Sequence, residues 1–135
     1  MYDHILLPIS LDTDRDGKTA IKVAQTLSGE NGKISVLHVV EHLPQYSEDW
    51  LPAGHFEIAK SKISDVLKPM LAEVDNATLN IVEGHSGRTI LDYAKNHQAD
   101  CIVVASHRPG LKDYLLGSTA ARVVRHASCA VHVVR

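Results

Sequence analysis

The chain has 135 residues, of which 44% are hydrophobic and 22% are charged, and its formal net charge is −2. This size and composition predict one globular domain over residues 1–135 with a proper buried core. The small negative charge disfavours non-specific binding to nucleic acid or to anionic membranes, since both require a basic excess. The sequence has no signal peptide and no apolar run near the roughly 20 residues that cross a bilayer, so we expect a cytoplasmic location.

Alternating strand-like and helix-like segments follow one another along the chain. Apolar runs rich in Val and Ile predict strands at residues 4–9, 33–40, 77–83, 101–105 and 130–134. Helical spacing of apolar residues predicts helices at residues 20–27, 63–74, 86–94 and 117–126, with Ser86 as a cap, Gly29 as a stop and Pro69 as a kink. Residues 12–16 form a polar turn, and residues 42–55 form a long irregular loop of the kind that is usually functional or an interface.

This alternation predicts an α/β fold with a doubly wound, five-stranded parallel sheet in the order 3-2-1-4-5 and helices on both faces. Cys101 and Cys129 lie in or beside its apolar runs, and we expect two buried thiols. Ligands bind outside the carboxyl ends of the strands at the point where the strand order reverses, here between the first and fourth strands. Those ends are Pro8, Ile9 and Ser10 on one side and Ala105, Ser106 and His107 on the other.

The last predicted helix begins at Gly117, Ser118 and Thr119, directly after the loop that follows the fourth strand. The first backbone N–H groups of a helix have no partner within it, and the helix dipole adds partial positive charge there. A strand, a small polar loop and a hydroxyl-bearing helix start therefore predict half of a nucleotide-binding site.

Two other motifs compete with this interpretation. Gly17, Lys18 and Thr19 suggest a P-loop, but that motif needs a glycine where Asp12 stands, which favours a plain helix start. His126, Cys129 and His132 have a metal-like spacing, but they run from a helix end into a strand, which separates their side chains. We therefore predict no metal site.

No catalytic constellation is evident either. Ser106 and His107 are adjacent and suggest a nucleophile with its base. Neighbouring strand residues point to opposite faces, so these two side chains are poorly placed to share a proton. Asp12, Asp14 and Asp16 alternate as a cation site would, but solvated turn carboxylates are the simpler interpretation. We predict no catalytic residue.

At this point the residues resemble a known family. ILLPIS, SVLHVVE and VEGHSGRTILDYAKNHQADCIVVASH, followed by LLGSTAARVVRHASCAVHVVR, are similar to the universal stress protein (UspA-type) family. The resemblance covers nearly the whole chain except residues 43–55, and the fourth loop is most similar to the small nucleotide-binding UspF-type branch. The resemblance implies the same doubly wound fold, usually a homodimer, and in many members a bound adenine nucleotide.

The chain departs from the family's nucleotide motif, G-x-x-G-x9-G-[ST], at three points. Ala105 and Arg108 stand at the first two glycines, and eight residues instead of nine separate Arg108 from Gly117. Arg108 is bulky enough to block the loop, and its guanidinium is equally suited to contact phosphate. Ser10 stands where the family often has an Asp that binds ribose hydroxyls, and Asp12 is a candidate substitute.

By resemblance, the ligand is ATP, ADP or AMP, with Mg²⁺ as a candidate companion ion. The implied pocket comprises Pro8, Ile9, Ser10, Asp12, Val40, Ala105, Ser106, His107, Arg108, Gly117, Ser118 and Thr119. The leading hypothesis is a stress-response module that binds an adenine nucleotide and signals to an unidentified protein partner. A slow ATPase or nucleotide hydrolase and a nucleotide-free interaction protein remain as alternatives.

The last predicted strand lies at a sheet edge in the order 3-2-1-4-5 and is apolar along most of its length. An exposed apolar edge invites aggregation unless another strand pairs with it. We therefore expect a homodimer in which two copies of this strand pair about a two-fold axis. The predicted interface comprises Ala130, Val131, His132, Val133 and Val134.

Overall fold

The computed structural model describes residues 1–11, 14–41, 54–106 and 116–135, with only the backbone of residues 14–16. Its strands are β1 (Tyr2–Pro8), β2 (Ser28–Val40), β3 (Ala77–Glu83), β4 (Cys101–Ala105) and β5 (Ala130–Val134). Its helices are α1 (Asp14–Leu27), α2 (His55–Leu67), α3 (Ser86–Asn96) and α4 (Ser118–His126), and a short 3₁₀ helix covers Lys68–Leu71.

The sheet has five parallel strands in the order β3-β2-β1-β4-β5, as the sequence predicts. Side chains alternate across it, because successive residues of a strand point to opposite faces. Ile5, Leu7 and Val103 pack on one face with α1 and the end of α2, and Leu6 and Ile102 pack on the other with α3 and α4. Both faces are therefore buried, which explains why the strands are nearly continuous apolar runs.

Helix boundaries differ from the sequence prediction at α1 and at α2. The predicted polar turn is wrong for residues 14–16, because α1 already begins at Asp14. Acidic residues such as Asp14 and Asp16 are favoured in the first turn of a helix, where the helix dipole is positive. The second predicted helix ends earlier, at Leu67, and continues as the 3₁₀ helix that contains Pro69. Proline lacks an N–H and its ring clashes with the preceding turn, so a regular α-helix cannot pass through it.

The long loop predicted at residues 42–55 lies outside the described residues up to residue 53, and His55 already belongs to α2. Both cysteines are free thiols, Cys101 buried and Cys129 half-buried. Burial raises the pKa of the Cys101 thiol to about 11. In the part of the chain that the structure describes, no helix is both long enough and apolar enough to cross a membrane.

Candidate functional site

The sheet opens at the carboxyl ends of β1 and β4. The two strands are paired in register only at Ile5 with Cys101 and at Leu6 with Ile102. Beyond those pairs, the N–H of Ile9 donates to the carbonyl of Leu37 on β2 at 2.9 Å. The N–H of Ser106 donates to the carbonyl of Val134 on β5, also at 2.9 Å. The exits of β1 and β4 are therefore held apart by their outer neighbours, and a cleft opens between them.

This cleft has a volume of about 430 Å³. Strand ends form its floor, and the first turns of α1, α3 and α4 form its walls. The described lining residues are Pro8, Ile9, Ser10, Leu11, Gly17, Ala20, Leu37, His38, Val39, Glu41, Ser86, Ile90, Val104, Ala105, Ser106, Gly117 and Thr119. A concave, largely apolar pocket with a few polar groups is the usual form of a small-molecule site.

The start of α4 presents partial positive charge to the cleft. Gly117 is the N-cap residue, and among the described residues no side chain caps it. The first turn carries no acidic residue, whereas Arg125 and His126 stand in the last turn, at the negative end of the helix. The N-terminal N–H groups and the helix dipole therefore attract negative charge toward the cleft.

Ser106 joins this helix to the sheet. Its side chain is buried, and its Oγ donates to the carbonyl of Val134 at 3.2 Å, so that both of its donors bind the same strand β5. Its carbonyl accepts a hydrogen bond from the N–H of Gly117 at 3.4 Å. Ser106 thus acts as a structural link between β4, β5 and α4, and its hydroxyl is engaged with the backbone.

On the opposite wall, His38 contacts the exit of β1. Its Nδ1 lies 2.8 Å from the carbonyl oxygen of Ile9. A carbonyl only accepts, so Nδ1 carries the proton and, in the neutral ring, Nε2 is an acceptor. This bond fixes the orientation of the ring at the cleft.

A second polar pair joins the end of β2 to α3. The Ser86 hydroxyl donates to Oε1 of Glu41 at 2.8 Å. The sequence prediction that Ser86 caps α3 is wrong: the N-cap residue is His85, whose Nδ1 accepts from the N–H of Arg88, and Ser86 is the first helical residue. The first turn of α3 contains no acidic residue. Glu41, which follows β2, instead places a negative charge beside this helix terminus, where it is favourable.

The structure brings most of the described predicted site residues together. Seven of them line the cleft: Pro8, Ile9, Ser10, Ala105, Ser106, Gly117 and Thr119. Val40 and Ser118 do not line it; the neighbouring Val39 and Thr119 do, because side-chain direction changes from one residue to the next. Asp12, His107 and Arg108 lie outside the described residues.

Sequence reasoning missed Leu11, Gly17, Leu37, His38, Glu41, Ser86 and several apolar floor residues. For His38 and Glu41 a signal existed, since both stand at the carboxyl end of the second predicted strand, beside the switch point. Ser86 carried no such signal, because only the packing of α3 against the sheet brings it to Glu41, 45 positions away.

Comparison with known proteins agrees with this architecture. The model of the universal stress protein family matches residues 1–135. The chain belongs to the universal stress protein family. The family assignment made from the sequence is thereby confirmed, whereas the UspF-type branch stays a prediction.

Similar proteins match this universal stress protein over its full length. The chain is 30% identical to universal stress protein G of Salmonella typhimurium, over 100% of both chains. Among solved structures, universal stress protein UspA from Lactobacillus plantarum is 25% identical with a TM-score of 0.74, covering 99% of this chain and 98% of that one.

Two more distant structures of the same fold contain an adenine nucleotide. One is a universal stress protein in complex with cAMP, 23% identical with a TM-score of 0.72 over 99% of this chain and 97% of that one. The other is the universal stress protein from Archaeoglobus fulgidus in complex with dAMP, 17% identical with a TM-score of 0.67 over 99% of this chain and 98% of that one.

Metal ligands are not grouped in the described part of the chain. Within residues 1–11, 14–41, 54–106 and 116–135, no three His, Cys, Asp or Glu side chains are close enough together to hold an ion. An ion such as Mg²⁺ often takes substrate phosphates as ligands. The Mg²⁺ companion therefore stays a prediction that depends on the ligand.

Proposed function

We propose that this universal stress protein binds an adenine nucleotide in the cleft between β1 and β4, and acts as a cytoplasmic stress-response module that presents its ligand state to partners. The observation that carries the proposal is the start of α4 at Gly117, a helix terminus that no described side chain caps and that opens into the cleft beside Ala105 and Ser106. Such a terminus attracts the phosphate of a ligand, while the apolar floor suits a purine ring.

Three further observations support the proposal. The cleft lies at the switch point of a doubly wound sheet, where ligands of this architecture bind. A β-carbon built on Gly117 would stand 3.6 Å from the carbonyl oxygen of Ser106 and would meet no other atom of the described residues within 4 Å, so those residues leave the space above Gly117 open. The structures with cAMP and dAMP belong to the same fold and hold ligands of the same class.

We also propose that the chain forms a homodimer through β5. This strand is an edge of the sheet, paired on one side with β4. Val131 and Val133 are half-buried against the core, whereas Ala130 and His132 are exposed. An isologous pairing of two such edges would satisfy the backbone groups on the outer side of the strand.

The nucleotide proposal is tested on the purified full chain. Denaturation followed by chromatography identifies any adenine nucleotide that copurifies, and calorimetric titration with adenosine, AMP and ATP measures the affinities. We expect binding of at least AMP with one site per chain. Absence of any copurified nucleotide together with no heat of binding for all three ligands would favour the nucleotide-free interaction protein instead.

A further inference from the structure

Glu41 has an unusual place in the cleft. Among the described residues that line it, Glu41 is the one Asp, Glu, Lys or Arg side chain. It follows the last residue of β2 and is exposed to solvent. A carboxylate in a cleft that otherwise attracts phosphate would repel that phosphate, unless it binds a different part of the ligand.

One oxygen of the carboxylate also has a hydrogen-bond partner in the cleft wall. Oε1 accepts the hydrogen bond from Ser86 at 2.8 Å, and the described residues offer Oε2 no partner. A carboxylate has about four lone-pair sites, so most of its capacity to accept hydrogen bonds is unused. Ser86 belongs to the cleft wall as well, so its hydrogen bond anchors the Glu41 carboxylate beside the cleft.

The two ends of the cleft therefore have opposite polarity. At the α4 end, Gly117 presents the positive terminus of a helix, and at the α3 end, Glu41 presents a carboxylate. A ligand with a phosphate at one end and hydrogen-bond donors elsewhere binds in a single orientation, with its phosphate toward α4 and its donors toward Glu41.

We propose that Glu41 determines ligand specificity by accepting hydrogen bonds from the ribose hydroxyls of the bound nucleotide. In other doubly wound nucleotide-binding sheets an acidic side chain has this task. Ser10, which also lines the cleft, carries a neutral hydroxyl and is a weaker acceptor than a carboxylate. This inference rests on the proposed nucleotide site and names the ribose-reading residue within it.

The test compares AMP with 2′,3′-dideoxy-AMP by calorimetric titration of the full chain. In the unmodified protein we expect AMP to bind about ten- to a hundredfold more tightly, the range of a charge-assisted hydrogen bond. In Glu41→Ala the preference should fall to near unity, because AMP loses affinity and the dideoxy ligand does not. Glu41→Gln keeps the size of the side chain and removes its charge, and should reduce the preference as well.

Ser86→Ala examines the positioning role of Ser86, since the hydroxyl holds the carboxylate without facing the ribose in the proposal. It should lower the AMP preference while the affinity for the dideoxy ligand stays the same. Glu83→Ala is the matched control, because Glu83 is an exposed carboxylate at the end of the neighbouring strand β3 and does not line the cleft. This variant should keep the full preference.

The outcomes separate this inference from the proposed function. A preference for AMP that is unchanged in Glu41→Ala overturns the role of Glu41 while the nucleotide site stands. Equal affinities of the unmodified protein for AMP and 2′,3′-dideoxy-AMP would also overturn the role of Glu41 and leave the nucleotide site standing. If Glu41→Ala instead abolishes discrimination between AMP and IMP, the carboxylate binds the amino group of the base, and the ribose role is wrong. Failure of the unmodified protein to bind any of these nucleotides defeats the proposed function itself.

Discussion

The amide nitrogen of Gly117 donates a hydrogen bond to the carbonyl oxygen of Ser106 at 3.4 Å, joining the exit of β4 to the start of α4. A β-carbon on Gly117 would lie 3.6 Å from that carbonyl oxygen, which is ordinary van der Waals contact. The backbone of Gly117 has φ −61° and ψ 156°, which any residue adopts. The described residues therefore leave room for a side chain at this position, although the cleft would lose the space that it fills.

Gly117→Val should abolish nucleotide binding, because the branched side chain occupies the space over the α4 terminus where the phosphate is expected. The cost to folding should be small, about 1 kcal/mol or less for a changed N-cap, which corresponds to a few degrees in Tm. Calorimetric titration and thermal unfolding measure the two effects on one sample. Unchanged AMP affinity in this variant would remove the phosphate site from the α4 terminus.

Arg108, outside the described residues, gives a prediction that rests on the sequence. If its guanidinium pairs with a phosphate, Arg108→Ala should weaken AMP and ATP binding by about ten- to a hundredfold and leave adenosine nearly unaffected. If Arg108 obstructs the loop, Arg108→Gly should tighten ATP binding. We expect the first result, and a titration series with adenosine, AMP and ATP distinguishes the two by sign.

The proposed dimer predicts that charge on β5 separates the two copies. Val131→Lys should yield a monomer by light scattering at micromolar concentration, because the lysine must be desolvated at the paired edge. Since Val131 also packs against the core, His132→Asp is the second variant: His132 is exposed at the centre of β5, where a two-fold axis brings two copies of one residue together. If both variants stay dimeric, the interface lies elsewhere.

A buried histidine at the opposite end of the sheet predicts that stability depends on pH. His4 Nδ1 donates to the carbonyl of His97 at 2.9 Å, and its Nε2 lies 2.7 Å from the Ser35 hydroxyl. Burial lowers the pKa of His4, and the charges of Lys33 and His97 act in the same direction. The hydrogen bond to the His97 carbonyl and the Asp100 carboxylate oppose that shift without reversing it.

A histidine whose pKa is lower in the folded state binds more protons when unfolded, so its contribution to stability is present above the ordinary pKa of about 6.5 and is lost as pH falls below it. We therefore expect the urea midpoint to fall as pH decreases from 7.5 to 5. His4→Gln should lower the midpoint at pH 7.5 and flatten this dependence. His55→Gln, at an exposed position at the start of α2, should keep the dependence of the unmodified chain, and an equally steep fall in His4→Gln would exclude His4 as its source.

The sequence by itself determined the elements and their order. Three strands, at residues 77–83, 101–105 and 130–134, have the predicted bounds. For Cys101–Ala105 the reason is that a buried parallel strand must be apolar on both faces, and the polar residues that follow it end the run. The strand order then followed from right-handed crossovers, and with it the location of the cleft. Pro8, Ser10 and Gly117 line that cleft, and they could be predicted because the ends of strands and helices are visible in the sequence.

Only the tertiary structure decided which polar groups meet across the molecule. Glu41 with Ser86, His38 with Ile9 and His4 with Ser35 are pairs that stand 45, 29 and 31 positions apart. Hydrophobic periodicity reports which face of an element is buried, and it carries no information about the polar atom that a side chain meets on another element. The first pair needs α3 to pack on the sheet and the other two need β1 to pair with β2, because hydrogen-bond geometry must be satisfied to within a few tenths of an ångström.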